Sequence, residues 1–167
     1  LLTRANLEGG YGGRPYVDYE MVLNCDLSGW EIMTGCIGSF LNLPGSEEFF
    51  KELWERNRRH MWFEIMPANH PKQIEYHKKW KAKNFLDLPL VATVDCHYLL
   101  PEHNKVQDVL IAIQRNYKWN DPNRWSLDFR DLYMMDADEV YNNFVNQEIF
   151  TKREIITAMS NTLKIAD

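Results

Sequence analysis

Three short apolar runs, each followed by a segment of helical periodicity, constrain this chain more than any other feature. "GWEIMTGC" (Gly29 to Cys36) reads as a strand. After the loop "IGSFLNLPG", a helix is expected from about Ser46. Ser46 suits the N-cap, Glu47 and Glu48 suit the first turn, and Phe49, Phe50, Leu53 and Trp54 share a face. "MWFEIM" (Met61 to Met66) reads as a second strand. Pro71 then opens a helix running to about Phe85, because proline's missing N–H costs nothing at the first helical position. The third strand spans about Leu90 to Asp95. A third helix starts near Asn104, with Val106, Val109, Leu110 and Ile113 at i, i+3, i+4 and i+7. Strand–helix alternation of this kind gives parallel strands covered by helices, an α/β fold. Apolar strands agree, since parallel strands are buried on both faces.

Beyond Arg115 the pattern dissolves into a polar loop, "RNYKWNDPNRWSLDFRD", and two helices then close the chain. Asp136 with Glu139, and Thr151 with Glu154, are capping-box starts. The last helix, about Thr151 to Ala166, is expected to bury Ile155, Ile156, Met159 and Leu163. No linker divides the 167 residues, so the expectation is one domain: three β/α units over 1–114, a long loop over 115–135, and closing helices over 136–167. Leu1 and "LLTRANLEGG" do not look like the start of a free-standing domain and suggest a fragment, a processed product or a chosen boundary.

The third strand ends in Asp95, Cys96 and His97. In parallel α/β folds, functional side chains gather at the carboxyl ends of strands. With period two, Asp95 and His97 would project together, and Cys96 would point the other way into the core. A carboxylate beside an imidazole makes a ligand pair for Zn²⁺ or Mn²⁺. Cys36 ends the first strand in the same sense and could add a thiolate. The plainer alternative makes Asp95 a turn cap, His97 a hydrogen-bonding residue and Cys36 a small hydrophobe. Among the other histidines, His60 is expected at a helix end, His70 at the second helix and His77 on it, both exposed, and His103 before the third. Glu64, inside strand two, could face the centre of the fold or pair with a basic neighbour.

Two further features bear on partners. A formal charge of −5 argues against broad phosphate-driven nucleic-acid binding, though not against a local site. The loop interleaves Arg115, Lys118 and Arg124 with Tyr117, Trp119 and Trp125, a pattern that can track a single strand with bases stacked on the rings. The plainer reading is that the tryptophans pin the loop while the charges stay solvated. Three cysteines without disulfide spacing suggest a reducing compartment, and no apolar run approaches a membrane span.

"LPLVATVDCHYLLPEHNKVQDVLIAIQ" resembles the PHP (polymerase and histidinol phosphatase) domain of bacterial DNA polymerase III alpha subunits, where an L-P-x-V-A-T-x-D-x-H-Y strand precedes a D-V-L-x-x-I-Q helix. "GGRPYVDYEMV", "IMTGCIGSF", "FEIMP", "DPNRWSLDFRDLYMMDADEVYNNF" and "AMSNTLKIAD" are similar to further segments of that family, in order along the chain. Val94 stands in place of the usual Asn, and Cys96 in place of a small apolar residue. The resemblance implies a distorted barrel of seven parallel strands, of which this chain forms the C-terminal portion, with a metal cluster at the carboxyl-end mouth. It implies up to three divalent ions (Zn, Mn or Mg), held in part by Cys36, Asp95 and His97, and phosphodiester hydrolysis of the 3′–5′ proofreading type. In other members the cluster is degenerate and the domain is a structural scaffold. The family's other ligands, including an H-x-H, have no counterpart in this sequence. The resemblance further implies as partners the remainder of the polymerase alpha subunit or a complementary N-terminal PHP chain, with DNA in the full assembly. It implies a cytoplasmic setting, in a bacterium or a phage-infected cell.

Overall fold

The structure, a computed structural model, describes residues 2–7, 10, 11 and 14–167. Leu1, on which the reading of the chain's start rests, lies outside the described residues. A helix α1 (Leu2–Leu7) precedes a two-stranded antiparallel pair, β1 (Gly10–Tyr11) and β2 (Arg14–Pro15). A short helix α2 (Tyr19–Leu23) follows, its N-terminus capped by Asp18, whose carboxylate accepts the Met21 N–H at 2.7 Å.

The centre is a three-stranded parallel sheet in the order β3 (Ile32–Met33), β4 (Met61–Ile65), β5 (Leu90–Ala92). Ile32 pairs with Met61, and Phe63 with Leu90. The middle strand is the most buried, as the expectation for parallel strands requires. Helices α3 (Ser46–Arg56) and α4 (Pro71–Lys83) lie between successive strands in the chain, and α5 (Asn104–Gln114) follows the third. The alternation read from sequence is therefore present as a mixed α/β architecture. Leu41, Phe50, Met61, Ile65, Trp80, Phe144 and Ile155 form the heart of the core.

Several local expectations are corrected. Strands one and three are shorter than the apolar runs, because Gly35 at φ 80° and Asp95 at φ 53° turn the chain out of extended geometry. Gly45, at φ 79°, occupies the N-cap of α3. Ser46 is instead the first helical residue and is buried. Its hydroxyl lies 2.8 Å from the Leu41 carbonyl and 2.7 Å from that of Leu43, so it donates backwards to the preceding turn.

The apolar stripe of α5 faces outward. Val106, Val109, Leu110 and Ile113 are exposed, Ile113 by 70%, while Asp108, Ile111 and Ala112 turn inward. The reason is electrostatic: Asp108 reaches Arg124 and Arg130 of the long loop, which therefore lies against that side of the helix.

Helices α6 (Ala137–Asn146) and α7 (Lys152–Ala166) both carry the full capping box expected of them. α7 packs on β5 and buries Ile155, Ala158 and Asn161, leaving Ile156 and Leu163 exposed. Its rotation follows from Asn161, whose amide donates to the Leu90 carbonyl at 2.7 Å. Among the described residues, no helix is long and apolar enough to cross a membrane.

Candidate metal centre

The carboxyl ends of the three parallel strands lead into one cavity of about 330 Å³. Cys36, Asp95 and His97 all line it, as do Lys72, Gln73 and Asp128. Three side chains chosen from sequence are thus brought to one place by the topology.

Each is held by its own local geometry. Behind β3, the Thr34 N–H donates to the Trp62 carbonyl at 3.1 Å, which extends the β3–β4 ladder by one residue. Gly35 then enters the left-handed region, and a Cβ there would sit 3.2 Å from Ser39 Cβ. The turn that follows puts the half-buried Cys36 thiol at the cavity, with the Gly38 N–H 3.4 Å from its sulfur. Tyr76 contacts the Gly35 carbonyl at 3.5 Å, and its burial pushes the phenol well above the usual tyrosine range.

Asp95 and His97 do meet, but not by strand alternation. β5 ends at Ala92, and Asp95 is left-handed, so the period-two argument does not apply to them. His97 Nδ1 instead turns back to the Asp95 main-chain oxygen, 2.6 Å away, with Asp95 Oδ1 at 4.0 Å. A carbonyl only accepts, so Nδ1 carries the hydrogen and a neutral ring keeps its lone pair on Nε2. That is the arrangement in which a histidine serves as a metal ligand while its other nitrogen is fixed by a backbone oxygen. The His97 backbone is fixed as well: its N–H donates to the Leu132 carbonyl at 2.8 Å. Cys96 is exposed rather than in the core, its thiol contacting the Tyr98 carbonyl at 3.2 Å, because the left-handed Asp95 rotates everything after it.

Thiolate, carboxylate and imidazole form a donor set suited to Zn²⁺. Among the described residues, however, no three His, Cys, Asp or Glu side chains converge closely enough to hold one ion. The three donors share a cavity without closing on a single point.

The remaining candidates have structural partners. Glu64 is half-buried and accepts the Thr93 hydroxyl. His60 is exposed and pairs with Glu31 at 2.7 Å; hydrogen bonds from His60 and from Trp62 hold the Glu31 carboxyl below its ordinary value. His70 caps α4 and stacks on Phe129 at 4.1 Å. His103 occupies the N-cap position of α5 without a side-chain cap bond. His77, expected exposed, is fully buried, held by Gln73 and Gln147. In the long loop, Arg115 stacks over Trp125 at 4.5 Å and Arg124 over Trp119 at 4.3 Å, while Lys118 is exposed. Lys72 and Asp128 were not singled out from sequence. One is an ordinary helix lysine and the other an ordinary loop aspartate, and only the fold puts them at the cavity.

No family model matches the chain. Curated relatives do. The chain is 29% identical to the DNA polymerase III subunit alpha of Thermus aquaticus over 149 aligned positions, covering 84% of this chain and 12% of that protein. It is 30% identical to the subunit of the same name from Aquifex aeolicus, over 68% of this chain and 10% of that protein. The Haemophilus influenzae subunit is 25% identical over 99% of this chain and 14% of its own length. The chain therefore spans 7–14% of the length of the curated relatives it matches. It resembles a segment of the alpha subunit of bacterial DNA polymerase III.

Proposed function

We propose that this chain is the C-terminal portion of a PHP-type domain in a DNA polymerase III alpha subunit, and that its cavity serves divalent-metal-dependent phosphodiester hydrolysis of the 3′–5′ proofreading type. The observation that carries the reading is the meeting of Cys36, Asp95 and His97 in one cavity at the carboxyl ends of parallel strands. The three-stranded sheet would continue into a distorted seven-stranded barrel. Additional ligands would come from the remainder of the alpha subunit or from a complementary PHP chain.

In this reading His97 offers Nε2, Asp95 a carboxylate and Cys36 a thiolate to a Zn²⁺, Mn²⁺ or Mg²⁺ ion. Such an ion supplies Lewis-acid polarisation of the phosphate and lowers the pKa of water for attack at phosphorus. The chain's own part is positional. Lys72 brings a positive charge to the same cavity and suits a phosphate oxygen. Trp125 and Phe129 line the wall and limit water. The loop with Arg115, Lys118 and Arg124 leads toward that wall and would hold single-stranded DNA on its way in.

A second reading keeps the same assembly but makes this portion a scaffold without chemistry. The separation of the three donors favours it. An assay on 5′-labelled single-stranded DNA, with Mn²⁺ or Zn²⁺ supplied, separates the two. Shortening from the 3′ end that disappears in Asp95→Asn and His97→Ala supports hydrolysis. Intact DNA in the presence of bound metal supports the scaffold.

A further inference from the structure

The wall of the cavity is a stretch of the long loop, residues 125–129, running from Trp125 to Phe129. An arginine stands on each side of that stretch, Arg124 before it and Arg130 after it. Both converge on one carboxylate. Asp108 Oδ2 lies 3.3 Å from Arg130 Nη1 and 3.9 Å from Arg124 Nη2. Asp108 sits on α5, outside the cavity, and is 5% exposed.

We propose that Asp108 is the positioning residue of this cavity: by clamping Arg124 and Arg130, it fixes the segment between them as the wall over Cys36, Asp95 and His97.

A charged side chain turned inward on a helix that exposes four large apolar residues calls for a specific reason. The clamp supplies one. Asp108 Oδ1 and Arg124 Nη1 are both buried without a partner, an acceptor and a donor on two side chains already facing each other. An arginine–carboxylate pair that uses both oxygens is the strongest form of this contact. Arg124 is further stacked on Trp119, and its Nε donates to the Trp119 carbonyl at 3.2 Å, so its head group is oriented from two sides. The far end of the wall is held by Arg130 together with further contacts. Phe129 stacks on His70, the Tyr98 hydroxyl donates to the Arg130 carbonyl at 2.8 Å, and Asp131 accepts the Asn69 N–H at 3.1 Å. The near end, with Trp125 and Ser126, depends on the clamp and on the Arg115–Trp125 stack. The inference concerns the cavity of the proposed metal site but stands on the clamp alone, so the two can fail separately.

The test reads the cavity through Cys36, without metal. Alkylation by iodoacetamide is followed at each cysteine by peptide mass spectrometry, with Cys25 and Cys96 as internal references. In Asp108→Asn, which keeps size and removes charge, the Cys36 rate should rise roughly tenfold while the other two hold. Arg130→Gln should do the same in weaker form. If Asp108→Asn loosens the whole protein and all three cysteines accelerate, Arg130→Gln decides, because that side chain is 53% exposed and its loss leaves the core in place. An unchanged Cys36 rate in Arg130→Gln, or in a well-folded Asp108→Asn, overturns the assignment.

Discussion

His77 Nδ1 lies 3.1 Å from Gln147 Oε1, joining α4 to the C-terminal end of α6 across 70 residues of sequence. The amide oxygen accepts, so Nδ1 carries the hydrogen. Nε2 is left to accept from Gln73 at 2.8 Å and from the Met66 N–H at 3.3 Å. Gln147 uses its own amide hydrogens on the Met66 and Ala68 carbonyls, at 2.9 and 3.0 Å. Every polar atom of the ring is thus satisfied in the neutral form alone.

Burial lowers the His77 pKa from 6.5 to about 4. The unfolded chain therefore binds the proton that the folded chain refuses. The stability carried by the neutral ring is full above about pH 6.5 and is lost as pH falls toward about 4. The shift corresponds to about 3 kcal/mol at most. Urea unfolding at intervals between these pH values should show a falling midpoint in the native protein and a flatter profile in His77→Gln. Equal slopes in both would remove His77 as the cause.

Phe144 is completely buried and meets Phe150 edge-on at 6.3 Å. Phe144→Ala should cost about 3–5 kcal/mol, the usual effect of emptying such a site. Thermal unfolding checks it. A loss below about 1 kcal/mol would mean the surrounding helices collapse into the gap.

The Thr151 hydroxyl accepts the Glu154 N–H at 3.2 Å, while Glu154 reaches back to the Thr151 N–H and also pairs with Lys81 at 2.8 Å. Thr151→Ala should destabilise by about 1 kcal/mol. Chemical denaturation that leaves the midpoint unmoved would show that α7 is held by packing alone. Both capping boxes were legible in sequence because they depend on residues three apart and on nothing distant. The rotation of α7 was not. Periodicity placed Ile156 and Leu163 inside, whereas Asn161, bonded to Leu90, sets which face meets the sheet. The same happened on α5, where a buried Asp108 overrode a regular apolar stripe. In both cases a polar side chain with a partner far along the chain decided the orientation, and no local pattern carries that information. The candidate site shows the same division. Cys36, Asp95 and His97 could be picked out because their residue types and strand-end positions are local features. Lys72 and Asp128 became visible only once α4 and the loop were placed.

The loop aromatics can be tested directly. Trp119 and Trp125 are about half exposed, each with a guanidinium on one face. If they form a platform for single-stranded DNA, Trp125→Ala should weaken binding by about tenfold, within the ~1–3 kcal/mol expected per stacked base. Lys118→Ala should weaken it uniformly across sequences and reduce the salt slope by about 1. Fluorescence anisotropy with a labelled oligonucleotide at low ionic strength measures both. Identical binding by the native protein and by both variants would leave the loop with a structural role only.

Cobalt titration tests the central claim most directly, because a thiolate bound to Co²⁺ reports itself by a charge-transfer band in the near ultraviolet. The native protein should develop that band, and Cys36→Ser should lose it, while Cys25→Ser and Cys96→Ser keep it. Asp95→Asn and His97→Ala should each raise the Co²⁺ concentration needed. No band in the native protein, or a band that survives in Cys36→Ser, would contradict a metal centre built on Cys36, Asp95 and His97.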